Sequence, residues 1–207
     1  MIKKIKIAAV LFEGYELLDY YGPLQMFGML GNYYDIYQVA ESTGLVMSSA
    51  GIKGVAEYSF DEPIQYDLVL VPGGNGTRQQ VRKDAPVLSW LRSQQEKAQY
   101  ITSVCTGAGI LAATGLLDNR NATTNKAAFS WPQSQSSTTN WIEQARWVED
   151  GKFITAAGVS AGMDMALRLI ELTIGKDKAL QTAKYAEYEW HNDSTWDPFS
   201  HAFGLVN

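Results

Sequence analysis

Short apolar runs that stop abruptly at turns constrain the fold of this chain more than any other feature. Residues 5–12 are nearly all apolar and end at an acidic residue and a glycine, and residues 67–71 lead into a Pro-Gly-Gly turn. Such runs are typical of strands buried on both faces of a parallel sheet. Between them, residues 17–30 carry apolar side chains at helical spacing. Buried strands that alternate with helices predict parallel βαβ units, and hence an α/β fold with a mainly parallel central sheet.

The rest of the chain continues this alternation. With 207 residues, the chain is expected to form one domain over residues 1–207, a three-layer αβα sandwich. The segment 125–140 is rich in polar residues and predicts a short helix with a loop, and four aromatic residues in the tail from about residue 190 predict packing against the domain or a second subunit. The other predicted strands are 33–40, 100–105, 145–148 and 153–157, and residues 46–49 and 56–60 are predicted to form a hairpin. The other predicted helices start at Pro86 after a possible Asp84 cap, follow Gly109, and cover 163–174 and 179–188. In the first helix, Pro23 is expected in the opening turn.

Composition excludes several functional classes. Apolar residues make up 46% and charged residues 19%, which is unlike a disordered chain. The net charge of −5 comes without a basic block, so nucleic acid is not an expected partner. We expect no membrane span, because no window holds eighteen uncharged apolar residues, and no signal peptide, which together predict a cytoplasmic protein. The single cysteine rules out an internal disulfide and a thiolate metal site, and no metal is expected.

That cysteine, Cys105, lies where a predicted strand meets a predicted helix. Ligands bind outside the carboxyl ends of strands in open α/β sheets, and the start of a helix favours a thiolate and lowers the pKa of the thiol. The small residues Gly107, Ala108 and Gly109 permit the tight turn of a nucleophile elbow. Two interpretations stay open at this point: a nucleophile, or an inert buried cysteine.

The chain resembles the ThiJ/PfpI superfamily, which is related to the class I glutamine amidotransferases. The resemblance extends over residues 5–190, and within the superfamily the pattern is most similar to the isocyanide hydratase branch. It implies a flavodoxin-like, class I glutamine amidotransferase-like fold with the nucleophile elbow at Cys105. The segments that carry it are LDYYGP at 18–23, VPGG at 71–74, TSVCTG at 102–107 with GLL at 115–117, ATT at 122–124 and GVSAGMD at 158–164.

The resemblance also implies roles for individual residues. Asp19 becomes the acidic partner of Cys105, and a thiolate beside it would push the carboxyl group toward its protonated form. Gly73 and Gly74 become backbone donors of an oxyanion-type hole, to which Thr106 adds its amide or hydroxyl. The alternatives are structural: Asp19 and Thr106 as helix caps, and the two glycines as parts of a turn.

Two positions depart from the pattern of many relatives. Thr106 and Asn125 stand where histidine is frequent, and neither side chain can act as a base, although Asn125 can hydrogen-bond a ligand. His191 and His201 are the two histidines of the sequence, and both are expected to serve packing or the surface. His191 would supply a base if the tail folded over Cys105. Protease and amidotransferase chemistry are therefore not expected.

These features predict an enzyme that acts on a small molecule. As in the branch that it resembles, Cys105 would attack the carbon of an isocyanide to form a thioimidate, Asp19 would transfer the proton, and water would release an N-substituted formamide. No metal or organic cofactor is required for this reaction. The alternative is a redox or electrophile sensor that oxidises Cys105. The superfamily resemblance also implies a homodimer. A regulator's ligand-binding module is disfavoured, since no helix-turn-helix part follows.

Overall fold

A computed structural model describes residues 3–207, and its centre is a mainly parallel sheet. Within those residues the sheet has seven strands in the order β10-β11-β7-β6-β1-β2-β5. The strands of the chain are β1 (Ile5–Val10), β2 (Tyr34–Ala40), β3 (Gly44–Met47), β4 (Lys53–Ala56), β5 (Tyr58–Ser59), β6 (Leu68–Val71), β7 (Tyr100–Val104), β8 (Asn121–Ala122), β9 (Asn140–Trp141), β10 (Trp147–Asp150) and β11 (Phe153–Ala156).

Apart from the short last helix, the helices form two groups around this sheet. One group consists of α1, α6 and α7, and the other of α2 to α5, and the members of each group pack against one another. The helices are α1 (Leu17–Gly28), α2 (Thr77–Gln80), α3 (Pro86–Gln94), α4 (Gly107–Ala113), α5 (Ser130–Gln133), α6 (Ala161–Ile174), α7 (Lys176–Tyr185) and α8 (Pro198–Ala202). Among residues 3–207, none of these helices is long and apolar enough to cross a membrane.

The pairing of the strands confirms the α/β fold. β1 pairs in parallel with β2 and with β6, and β6 pairs in parallel with β7. Every residue of β6 is buried, as expected of a strand that is covered on both faces. The exception to the parallel arrangement is the edge strand β10, which runs antiparallel to β11. The carboxyl ends of β1, β6 and β7 therefore meet at one edge of the sheet, which is where Cys105 follows β7.

The predicted hairpin is wrong in its second strand. Gly44–Met47 pairs with Lys53–Ala56, whereas Tyr58–Ser59 leaves the hairpin and extends the main sheet beside β2. The reason is aromatic packing: the Tyr58 ring lies 5.0 Å from the Tyr37 ring, centroid to centroid, on the neighbouring strand. A strand of two residues with one well-packed aromatic side chain carries little periodicity in the sequence.

Several predicted helix boundaries also change. Pro23 lies inside α1 and not in its opening turn, because it packs at the crossing with α6, where a β-carbon on Gly162 would lie 3.1 Å from Pro23 Cγ. Asp84 does not cap α3, since Ala85 occupies the N-cap position without a side-chain bond. The polar segment 125–140 contains the expected short helix, α5. β10 begins two residues later than predicted, and α6 and α7 each begin earlier.

The aromatic tail folds back onto its own domain. Asp164 on α6 forms a buried ion pair with Arg146, in which Nη2 and Oδ2 are 2.6 Å apart. The other carboxyl oxygen accepts hydrogen bonds from Tyr188 Oη and from the amide of His191, and Trp190 Nε1 donates to the main-chain oxygen of Asp164. One buried carboxylate thus organises the start of the tail. The start of the tail thus packs against its own domain, as the first of the two alternatives predicts.

Candidate active site

Cys105 lies on a sharp turn between β7 and α4. Its φ angle is +57°, a left-handed conformation that a residue with a side chain seldom adopts. Neighbouring backbone holds the turn in place: the Cys105 amide donates to the carbonyl oxygens of Ala156 and Ala157 at 3.1 and 2.9 Å, and its own carbonyl accepts from Thr124 Oγ1 at 2.7 Å. The backbone conformation is that of a nucleophile elbow.

A glycine makes the close approach at this elbow possible. A β-carbon at Gly107, the first residue of α4, would overlap the main-chain oxygens of Val71 and Pro72 at the end of β6. The turn after β7 therefore presses directly against the turn after β6. This contact brings the Pro-Gly-Gly turn next to Cys105.

Asp19 reaches the same place from α1. Its Oδ2 accepts a hydrogen bond from the Gly73 amide at 2.9 Å, and the side chain is completely buried. Asp19 is the third residue of α1, and the N-cap residue is Glu16, so the interpretation of Asp19 as a helix cap is wrong. Its carboxyl group instead bridges the first helix and the turn after β6, and it interacts with the Cys105 side chain.

Burial is the main influence on the Asp19 carboxyl group. Loss of solvation raises its pKa from 3.8 to about 7, the Gly73 hydrogen bond opposes this, and the negative charge of Glu16 adds to it. The direction agrees with the sequence-based expectation, although burial and not a neighbouring thiolate is the principal cause. Oδ1 makes no hydrogen bond of ordinary geometry to the described residues, which leaves a buried oxygen on which a proton can reside.

The Cys105 thiol does not follow the expectation of an acidic group. Burial, followed by the negative charge of Asp19, raises its pKa above the ordinary value. Hydrogen bonds from the amides of Thr106 and Val159 and from the Thr106 hydroxyl favour the thiolate, but they do not outweigh burial. The start of α4 acts in the predicted direction, because the Thr106 amide lowers the thiol pKa, but the net shift is upward and the expectation of an acidic thiol is wrong for the resting site. Since each negative charge disfavours the other, the pair retains a proton at neutral pH.

The Pro-Gly-Gly turn fits tightly between Asp19 and Thr106. A β-carbon on Gly73 would lie 2.7 Å from Asp19 Oδ2, from Thr106 N and from Thr106 Oγ1. The Gly74 amide, predicted to be a free donor, already donates to Thr106 Oγ1 at 3.0 Å. Thr106 occupies the N-cap position of α4 but makes no capping bond with its side chain. The amides that face the sulfur are those of Thr106 and Val159.

A cavity of about 210 Å³ opens above Cys105. Four of the residues proposed from the sequence line it, while Asp19 and Gly73 lie behind its wall. Asn125 is held by a bond in which its Oδ1 accepts from the Ala128 amide at 3.0 Å. The full lining is Glu16, Gly74, Asn75, Arg78, Cys105, Thr106, Asn125, Ala128 and Val159.

Five lining residues were not identified from the sequence, namely Glu16, Asn75, Arg78, Ala128 and Val159. Glu16 accepts a hydrogen bond from Ser49 Oγ at 2.7 Å, and the Arg78 guanidinium lies 4.2 Å above the Trp131 ring. In the sequence, the only indication that Glu16 and Arg78 belong to the site is that they lie close to Asp19 and Gly74 along the chain. Val159 contributes through its amide, which any residue other than proline supplies, so its side chain gives no signal.

Neither histidine lines the cavity. The His191 ring stacks on Trp196 with 4.2 Å between centroids and 5° between planes, and its amide donates to Asp164. His201 is exposed on α8. The tail folds onto the domain but keeps His191 in a packing role. Among residues 3–207, no cluster of three or more His, Cys, Asp and Glu side chains has the arrangement of a metal site.

The sheet is open and mainly parallel, and a cysteine at a strained elbow faces a buried carboxyl group. These features define a class of α/β proteins in which the chemistry is expected at the elbow. The DJ-1/PfpI family model matches residues 5–172, and the chain belongs to the DJ-1/PfpI family. The resemblance to ThiJ/PfpI proteins is thereby confirmed.

The individual relatives include an enzyme and DJ-1 proteins. The chain is 32% identical over 184 residues to an isonitrile hydratase of Pseudomonas putida, covering 89% of this chain and 78% of that protein. It is 31% identical over 142 residues to Protein DJ-1 homolog B of Arabidopsis thaliana, covering 67% of this chain and 31% of that protein. A ThiJ/PfpI family protein from Pseudomonas syringae has a similar structure, with a TM-score of 0.81 and 33% identity over 91% of this chain and 76% of that one.

Proposed function

We propose that this protein is a cysteine-dependent enzyme that hydrates isocyanides to N-substituted formamides. The observation that carries the proposal is the buried pair of Asp19 and Cys105, in which the carboxyl pKa is raised to about 7 beside a thiol at an elbow. Similarity to an isonitrile hydratase over most of the chain supports the choice of substrate class.

The first half of the reaction forms a covalent bond to sulfur. Cys105 gives its proton to Asp19 and its sulfur attacks the terminal carbon of R–N≡C. The proton then passes from Asp19 to that carbon, which gives the thioimidate R–N=CH–S. Because its pKa is near neutrality, Asp19 is a better base than an ordinary carboxylate and still a competent acid. The amides of Thr106 and Val159, which face the sulfur, stabilise the charge that develops during attack.

The second half consumes one water molecule. Water adds its hydroxyl to the thioimidate carbon and a proton to the nitrogen, giving R–NH–CH(OH)–S. This adduct collapses to the formamide R–NH–CHO, and the hydroxyl proton returns to the cysteine through Asp19. An isocyanide carbon is already electrophilic, and no amine has to leave. A histidine at position 106 or 125 is therefore not required for this chemistry.

The test is formamide production from a panel of alkyl and aryl isocyanides. We expect turnover by the wild type, none by Cys105→Ala, and a loss of kcat by a factor of about 10² to 10⁴ in Asp19→Asn, the range typical for a general acid or base. Asp84→Asn makes the same chemical change at an exposed position and should retain full turnover. Absence of turnover by the wild type, or full turnover by Cys105→Ala, would contradict the proposal.

A redox sensor is the alternative that uses the same pair. A protonated Asp19 could donate a hydrogen bond to a sulfinate formed from Cys105 by hydrogen peroxide. Burial and the raised pKa of the thiol disfavour this role, because oxidation proceeds through an accessible thiolate. Mass spectrometry after peroxide treatment separates the alternatives: stoichiometric sulfinate without isocyanide turnover would favour the sensor.

We also propose that the protein forms a homodimer. The aromatic tail, which the sequence suggested as one possible dimer surface, packs in part against its own domain. The β3–β4 hairpin, in contrast, exposes Leu45, Ile52 and Val55 together. Apolar residues clustered on one hairpin are typical of a protein interface. Sedimentation equilibrium should show a dimer for the wild type and a shift toward monomer when Leu45 and Val55 are both replaced by serine.

A further inference from the structure

A second cavity, of about 230 Å³, adjoins the Cys105 cavity. The two share Asn125 and Val159 in their walls, so a molecule held at the sulfur is within reach of both. The walls of the second cavity are mostly apolar and include Ala157, Phe199 and Phe203. The reaction of the proposed function does not account for this space.

The aromatic wall of this cavity comes from the tail, beyond the residues 5–172 that match the family model. A buried ion pair fixes the wall: Lys126 Nζ lies 3.2 Å from Asp197 Oδ2, and both side chains are at most 2% exposed. The other oxygen of Asp197 accepts from the Phe199 amide at 3.0 Å and caps α8. Phe199 is thereby held in position relative to Asn125, the neighbour of Lys126.

Charge and size indicate what the second cavity accepts. The charged residues that line it, Lys126 and Asp197, neutralise each other, so a charged ligand would find no free counter-charge. The Cys105 cavity differs, because Glu16 and Arg78 line it. A dry apolar cavity of about 150 Å³ is large enough to bind benzene. The second cavity therefore has room for a neutral group with at least one six-membered ring.

We propose that this second cavity binds the apolar substituent of the substrate, and that Phe199 and Phe203 determine which substituents are accepted. This assignment rests on the proposed function. For an isocyanide, the apolar substituent is the group R on the nitrogen atom. The C–N≡C unit is linear, so when its terminal carbon meets the Cys105 sulfur the substituent points away from the sulfur. The charged side chains of Glu16 and Arg78 make the Cys105 cavity the less favourable place for an apolar group. The shared wall of Asn125 and Val159 marks the direction that it takes.

The first measurement compares kcat/KM for cyclohexyl and methyl isocyanide in the wild type, Phe199→Ala and Phe203→Ala. We expect the cyclohexyl-to-methyl ratio to fall by about 5- to 10-fold in either variant, because apolar contact with the ring is lost, while kcat/KM for methyl isocyanide changes less than about twofold. Leu180→Ala on α7 is the matched control, since Leu180 is 46% exposed and Phe199 47%. An unchanged ratio in both phenylalanine variants would overturn the proposal.

The second measurement does not depend on isocyanide turnover. Alkylation of Cys105 at pH 9 is followed by mass spectrometry with iodoacetamide and with N-cyclohexyl iodoacetamide. We expect the cyclohexyl reagent to react faster with the wild type, and expect this preference to be lost in Phe199→Ala and Phe203→Ala. A wild type that prefers the cyclohexyl reagent but hydrates no isocyanide would retain the cavity assignment and refute the proposed function. A wild type without this preference would refute the cavity assignment.

Discussion

Replacement of Asp19 by asparagine should stabilise the folded protein, and should do so more strongly as the pH rises. Asp19 is fully buried, and its pKa is raised from 3.8 to about 7 chiefly because the charged form loses its solvation. Between these two values the folded state binds more protons than the unfolded state. The free energy of unfolding of the wild type therefore decreases with pH over this interval and levels off above about 7.

The size of the effect follows from that interval. At about 1.4 kcal/mol per pH unit, the raised pKa of Asp19 lowers the free energy of unfolding by roughly 4 kcal/mol at pH 8, where the carboxyl group is ionised, and by roughly 2 kcal/mol at pH 5, where the folded state keeps a proton that the unfolded state releases. An asparagine side chain retains an oxygen for the Gly73 amide and carries no charge. Any effect of its new amide group does not depend on pH. The stability difference between Asp19→Asn and the wild type should thus grow by roughly 2 to 3 kcal/mol from pH 5 to pH 8.

Urea denaturation followed by tryptophan fluorescence measures this difference at each pH. Asp84→Asn, at an exposed carboxylate, provides the background effect of removing one negative charge. A stability difference between Asp19→Asn and the wild type that stays constant from pH 5 to pH 8 would refute the argument, since it would mean that burial does not penalise the charged carboxyl group. The same variant is expected to lose turnover, so the wild type retains an unfavourable charge where the reaction needs it.

Three further predictions concern the surroundings of this pair. Gly73→Ala places a β-carbon 2.7 Å from Asp19 Oδ2, so kcat/KM should fall at least tenfold with little change in circular dichroism, and wild-type kinetics would contradict the close fit. Lys126→Met strands the buried Asp197 carboxylate and should lower the free energy of unfolding by about 3 kcal/mol in urea; a neutral effect would mean that the ion pair does not hold the tail. Asp19→Asn should also move the pH midpoint of Cys105 alkylation downward, because the Asp19 charge raises the thiol pKa, and an unmoved midpoint would show that the two groups do not interact.

Features set by local pattern were predictable from the sequence. The predicted strand at residues 67–71 becomes the fully buried strand β6 over Leu68–Val71, and the small residues after Cys105 form the expected elbow. The proximity of Asp19 to Cys105 was predictable only through the family resemblance, because nothing local relates two residues on different βαβ units. The antiparallel direction of β10 was not predictable from its own residues either, since the relative direction of a strand depends on the strand with which it pairs.

Features that depend on burial were not predictable in the same way. The start of α4 suggested an acidic thiol. Burial of Cys105 and the negative charge of Asp19 both raise the thiol pKa, and the net shift is upward. Burial is a property of the whole fold, so a local electrostatic argument missed the dominant effect. The ion pair of Lys126 with Asp197 shows the same limit: each residue looks like an ordinary surface charge in the sequence, and only the folded tail brings them together.

The tail has a consequence for how specificity can diverge. Asp197 and Phe199 lie outside the matched family region, yet Asp197 pairs with Lys126 and Phe199 lines the same cavity as Asn125. Substitutions in this peripheral segment can alter one wall of the cavity proposed for the substituent while the elbow backbone stays unchanged. Selection can therefore act on substrate choice and on chemistry separately, and exchange of the tail between homologues becomes a practical route to altered selectivity.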